Sequence, residues 1–421
     1  MQEYVTTEPD KRKKGCNLEK KKTGTKPVKS GSAAKDIYAM RKRKKRRKVL
    51  KQSIWLLLLA VTILVLYQRR DSWMPKLETI GVRHQSQQPV GPGSTDGNFP
   101  ISIYGDKDYR LAEAGGKLLV LSDSYLYTYE TDGSLASARQ HTYGNAMLQT
   151  AGEYALVYEN GGTRFRLDTT AKNRFEKTLS DPIVFGRVSE NGLTALVTGS
   201  TSCACKMFVF NNKGQLLYER NCVERIADLA FHPDEGGCYA VRLEAENGVM
   251  KSVVNSYSFS SEESIWTSQP LDMLAISVYN TIEGDVFILG DTKCCYLDPL
   301  GTVKTTYTYP DALVRGVFSG NAAALLLGND ETRTKTVVIL SGPSGSPAVR
   351  TYEKDVRDIG FVPEDEALLV QMRKEIETLS YQCNVMGTTP VEESYDGFLR
   401  IGRNLFLHNY DHINRLEYPA S

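Results

Sequence analysis

The 421 residues carry a formal net charge of only +2, yet residues 1–51 hold a net +14 and the rest of the chain a net −12. So sharp a split argues against one uniform environment and for two environments separated by a barrier. The first 51 residues, rich in Lys, Gly, Ser and Thr, exclude a packed core of their own and are expected to be disordered.

That tail ends in eight consecutive basic residues, Arg41, Lys42, Arg43, Lys44, Lys45, Arg46, Arg47 and Lys48, followed by an apolar run from Ile54 to Tyr67. Lys and Arg are retained on the cytoplasmic side of such a run, which places the N-terminus inside and the C-terminal part outside. The run's 14 residues span about 21 Å as a helix, against a hydrocarbon core of roughly 30 Å. Extension back through Lys51, which snorkels, and Trp55 and Tyr67 at the two interfaces make up the difference. The following QRRDSWMPK offers no small-x-small cleavage site, so an uncleaved signal anchor over residues 52–68 is expected rather than a cleaved signal peptide. Beside such an anchor the basic run serves topology and attraction to anionic headgroups, and nucleic-acid binding is not needed to explain it.

Residues 69–99 are polar and turn-rich (HQSQQPVGPGSTDGNFP), as in a solvated stalk. From residue 100 to 421 the pattern changes to a repeat. Short apolar runs recur roughly every 40 residues: KLLVLS, YALVYE, TALVTG, CYAVRL, VFILGD, AAALLLG, ALLVQM and NLFLHN. Each is bounded by Gly, Asp, Asn or Ser, as a buried strand is. Further strands flank most of them, such as VFGRVSENG and IADLAFHPDEGG before and MFVFNNKG and CYLDPLG after. Four short strands per repeat define an all-β fold, a β-propeller of eight or alternatively seven four-stranded blades. The last segment has three strands, and Ile101–Tyr104 (ISIY) supplies a fourth by pairing the two chain ends.

The DxG or NxG turn followed by a strand resembles the quinoprotein-like and WD40-like propellers, without the GH…WD signature of true WD40 repeats. The whole layout resembles uncharacterised membrane-anchored proteins of clostridial bacteria with a divergent propeller ectodomain. That resemblance implies a Gram-positive cell surface and no assigned activity.

Cys16 lies in the tail and seven cysteines follow the anchor, so at least one of the seven is unpaired within the chain. In CACKMFVFNNKGQLLYERNC, a hairpin turning at Asn212–Lys213 sets Phe210 opposite Gln215 and Cys203 opposite Cys222, a candidate disulfide. Cys205, two residues from Cys203, shares its face and competes. The vicinal pair Cys294–Cys295 invites comparison with quinone-dependent dehydrogenases, but the repeated Trp motifs of those enzymes are missing, and buried free thiols explain the pair. Cys203-x-Cys205 lacks the further ligands of a zinc site, and His408 and His412 flank a turn rather than an HExxH helix. Glu262–Glu263 and Glu392–Glu393 read as solvated loop residues, not as a paired acid and base. Tyr125, Tyr127 and Tyr129 share one strand face, as do Tyr307 and Tyr309, and blade packing accounts for both sets.

No residue is singled out as catalytic, cofactor-binding or metal-ligating. The reading favoured is a non-enzymatic surface module that binds protein or cell-wall partners. An envelope enzyme of quinoprotein or hydrolase type, and a transmembrane sensor signalling through the basic tail, are the alternatives.

Overall fold

A computed structural model describes residues 98–103 and 109–418. The expected tail, anchor helix and nearly all of the stalk lie outside the described residues, as do Cys16 and the basic run. The rest is all-β: eight antiparallel sheets of four strands each. Seven follow directly along the chain, from Arg110–Gln140 in the first blade to Val356–Pro390 in the seventh. The protein is therefore an eight-bladed propeller, and the seven-bladed alternative falls away.

Each blade begins on its innermost strand and works outward. The second strand carries the apolar run seen in the sequence and is buried along most of that run, as in Ala322–Asn329, where all but the last residue is buried. A strand enclosed on both faces needs apolar residues in succession rather than in alternation, which is why these runs lack a period of two. Among the described residues the core divides into eight apolar clusters, one at each junction between neighbouring blades. The core is thus a ring, not a single mass.

The ring closes as the strand count predicts. Gly397–Ile401, Asn404–His408 and His412–Glu417 are completed by Ile101–Ser102, with Ile101 opposite Ile413 and Ser102 opposite His412. The Ile103 N–H extends the pairing to the Asp411 carbonyl at 2.7 Å. The junction between the eighth and first blades buries Ile101, Leu118, Val120, Tyr129, Phe406 and Ile413 together. This strand is part of the core as well as a cover for the sheet edge.

The hairpin turns explain a change of register in the third blade. Asn211 N–H donates to Gln215 O and Gly214 N–H to Asn211 O, with Gly214 at φ +78°. The loop therefore holds three residues, Asn212 to Gly214, rather than two, and a β-bulge follows between Val209 and Phe210. Together they shift the pairing by two, so Phe210 faces Leu216 and Cys222 faces Cys205. The register that set Cys203 opposite Cys222 is corrected accordingly.

Candidate functional site

The innermost strands of consecutive blades lie side by side around the ring axis. Five in a row, in blades three to seven, break register near their first residues: between Ile183 and Phe185, Ile226 and Asp228, Ala275 and Ser277, Leu313 and Arg315, and Val356 and Asp358. The residues expelled from the ladders are Val184, Ala227, Ile276, Val314 and Arg357. A bulge leaves its extra residue unpaired and re-aims it, and bulges gather at rims and binding sites. Val184, Ile276 and Val314 are 51%, 49% and 51% exposed. Val184 and Ile276 are each the one exposed residue of their strands, while Val314 lies in a more open strand with Ala312 and Arg315 also exposed.

All five bulges fall at the same end of the ring, where the innermost strands begin. The fourth blade adds a projection there. Gly237–Glu246 and Val249–Ser258 pair along ten residues each, turning at Asn247–Gly248, and Leu243 is opposite Arg225, the first residue of the inner strand. Residues 244–251 therefore extend beyond the inner strand. Both turn residues have positive φ, the geometry of a type I′ turn, which Asn-Gly favours. Val249, Met250 and nearby Leu274 are exposed on this end, and the Ser252–Leu271 bridge ties the projection to the connection leading into the fifth blade.

Beneath the bulges, buried charge locks the inner strands together. Asp228 on the fourth blade meets Arg187 of the third at 2.6 Å, and its other carboxylate oxygen accepts the Val278 N–H of the fifth at 3.0 Å. Asp358 on the seventh blade meets Arg315 of the sixth at 2.9 Å and accepts the Phe398 N–H of the eighth at 3.1 Å. Each aspartate thus joins three blades. Both follow immediately after the bulged residue of their strand, so the bulge turns a carboxylate inward. Burial pushes the pKa of each upward, against the lowering effect of its arginine and of the backbone N–H donors. The charges of Asp228, Arg187 and Arg315 all act on the Tyr279 hydroxyl, so the two locks share one polar neighbourhood.

The residues singled out from the sequence fall elsewhere. Cys294 and Cys295 point to opposite faces of their strand, one into the junction of blades five and six and the other into that of four and five. Burial pushes both thiols up to about 12, and the pair packs two junctions. His412 contacts Glu393 at 3.1 Å and Asp411 at 2.6 Å, while His408 lies against the Tyr109 ring. Tyr125, Tyr127 and Tyr129 form a ladder with centroids 5.5 and 6.2 Å apart, and Tyr307 and Tyr309 a second one. The exposed Glu262 accepts a hydrogen bond from Arg220 through its backbone carbonyl. Among the described residues no group of three or more His, Cys, Asp or Glu is placed to hold a metal ion. The arginine–aspartate locks were not singled out in the sequence. Their signal was a charge within otherwise apolar inner strands, as in VFGRV, IADLA and RDIGF.

Fold and site together define an eight-bladed β-propeller that gathers exposed apolar side chains and charge-locked strand ends at one rim. Residues 101–340 match the family of unknown function DUF5711, and the chain belongs to that family. No curated protein matches it in sequence. Among solved structures it is similar to BamB from Moraxella catarrhalis, at 10% identity and a TM-score of 0.53, over 76% of this chain and 98% of that one. It is also similar to Chaetomium thermophilum Sqt1 bound to the N-terminus of the ribosomal protein L10, at 14% identity and TM-score 0.54, over 75% and 98% of the two chains. Dihydro-heme d1 dehydrogenase NirN in complex with DHE matches at 9% identity and TM-score 0.52, over 70% of this chain and 68% of NirN. At such identities the likeness concerns the fold.

Proposed function

We propose that this chain is a non-enzymatic, membrane-anchored surface propeller that binds a protein partner at the bulged end of its ring. The observation that carries the reading is the row of five bulges, which presents Val184, Ile276 and Val314 to solvent at an end that also carries Arg315 and the bulged Arg357, paired with Asp358 and Asp396. Apolar side chains mixed with arginine on a rigid frame suit a protein surface better than a carbohydrate one. A cell-wall glycan is the other candidate for the same end. The Sqt1 structure, a propeller bound to the end of another protein chain, supports the reading in general terms.

In this proposal the basic run Arg41–Lys48 holds the tail in the cytoplasm, residues 52–68 cross the membrane once, and the propeller stands outside on a stalk. A Gram-positive cell envelope, as the clostridial resemblance implies, is the setting. Topology is tested in intact cells. A membrane-impermeant maleimide should leave Cys16 unlabelled while external protease removes the propeller; labelling of Cys16 would reverse the orientation.

The binding end is tested with a photoreactive residue at Val314 in the full-length chain. A discrete crosslink is expected that Ile276→Asp abolishes, with none from the same probe at Leu300, which lies in a turn at the opposite end. Equal crosslinking from both ends, or none from Val314, would remove the proposal.

A further inference from the structure

Three of the seven described cysteines gather in the third blade, at the same end as the bulges. Cys205 begins the strand Cys205–Phe210 and Cys222 ends the strand Leu216–Cys222, and the two are directly opposed in register. Each thiol also donates to a backbone carbonyl beside it, Cys205 to Glu224 at 3.4 Å and Cys222 to Arg220 at 3.9 Å. Directly opposed residues of an antiparallel pair have Cβ atoms about 4.5–5.5 Å apart, close to the separation a disulfide requires. Both are buried in the cluster between the third and fourth blades. Cys203 is half-buried and turns aside, its Sγ 3.2 Å from the Cys205 carbonyl oxygen and 3.9 Å from Asn221 Oδ1.

We infer that Cys205 and Cys222 are a disulfide site, oxidised by exchange with a disulfide-bearing oxidant and leaving Cys203 as the free thiol. In the first step the Cys205 thiolate attacks one sulfur of the oxidant RSSR, forming Cys205–S–S–R and releasing RS⁻, which takes up the proton lost by Cys205. In the second, Cys222 gives up its proton and attacks the Cys205 sulfur, releasing the second RSH. Two thiols are oxidised and one disulfide is reduced to two thiols.

The order of attack follows from the surroundings. The neighbouring Cys222 side chain, together with the Ile226 backbone and the charge of Arg225, brings Cys205 down to about 7, against the opposing effect of burial. Cys222, directly opposite Cys205 and itself buried, is shifted the other way. Cys205 is therefore the attacking sulfur and Cys222 the resolving one.

The bond would cross-link the outer two strands of the third blade at the bulged end, next to Glu224, whose carbonyl lies 3.4 Å from Cys205 Sγ. It would tie down the connection into the fourth blade, from which Asp228 and the projecting hairpin follow. Formation of the bond needs the oxidant and the opposed thiols, and not the binding partner proposed for this end.

The test uses the full-length chain, incubated with oxidised glutathione, alkylated, and mapped without reduction. One linked peptide pair joining Cys205 to Cys222 is expected, with Cys203 alkylated, and with thermal unfolding raised on the order of 5 °C. Cys203→Ser should retain both the link and the shift, whereas Cys205→Ser and Cys222→Ser should abolish them. Recovery of Cys205 in alkylated form, or of Cys222 linked to Cys203, would overturn the inference. Because Cys203→Ser leaves both buried thiols in place, its result stands even if the other two variants fold poorly.

Discussion

Arg187 Nη2 and Asp228 Oδ1 lie 2.6 Å apart across the junction of the third and fourth blades, and the Asp228 side chain is almost wholly enclosed. Because the same carboxylate also accepts the Val278 N–H, one buried charge fixes the relative positions of three inner strands. The Arg315–Asp358 contact repeats the arrangement three blades on, but there the arginine is half exposed. The difference in exposure separates the two in energy.

Asp228→Ala is expected to cost about 3–5 kcal/mol, because it leaves the Arg187 guanidinium and the Val278 N–H without their partner. Asp358→Ala should cost less, since water can take over part of the solvation of Arg315. Urea unfolding of the two variants measures both. Equal losses would mean that exposure of the arginine does not govern the strength of the lock.

Closure of the ring should be felt throughout it. Ile413 is fully buried between the chain ends, opposite Ile101. Ile413→Ala should cost about 2–5 kcal/mol. Deletion of Tyr395 to Ser421 uncovers Leu118 and Val120 as well and should destabilise the entire propeller, including blades distant from the cut. A truncated chain that melts like the intact one would show that closure is dispensable.

Acidification should act on the fold in two windows of opposite sign. Burial holds His141, His232 and His408 below the ordinary imidazole range. These groups bind fewer protons folded than unfolded, so their stability is complete above about pH 6.5 and is lost as the pH falls below it. Asp168, Asp228 and Asp358 are raised by burial and bind more protons folded than unfolded. Their contribution grows as the pH falls through the raised values towards about 3.9. The melting temperature should therefore drop between pH 7.5 and 5.5, and His232→Gln should flatten that slope. An unchanged slope would exclude His232 as a source.

The bulged valines and isoleucine should be nearly silent in stability. Val184→Asp, Ile276→Asp and Val314→Asp each place a carboxylate where the native side chain is about half exposed, and each should alter stability by no more than about 0.5 kcal/mol. Val184→Asp and Ile276→Asp should also abolish the crosslink from the probe at Val314. A large loss of stability would reassign these residues from the binding end to the core.

Much of the architecture was legible along the chain. The run AAALLLG, with its flanking strands and Gly turns, states a blade because the four strands of a blade are joined by short hairpins and make mostly local contacts. Even closure could be read, because the segment ending in HINRLEY lacked one strand and ISIY stood unassigned at the other end of the propeller. The site was less legible. Arg187 and Asp228 are 41 residues apart in sequence, and nothing local to either strand announces the other.

Composition and repeat by themselves determined the charge split, the four-stranded blades in eight or seven copies, and a candidate closing strand, because each depends on local polarity or on hairpins between neighbours in sequence. Tertiary structure alone decided which residues leave the ladders and which carboxylates turn inward, because those depend on how successive blades pack around the axis. It also decided that Cys205, and not Cys203, stands opposite Cys222. A three-residue turn and a single bulge displaced the strands by two positions, enough to replace one cysteine by its neighbour on the same face while leaving the hydrophobic pattern unchanged.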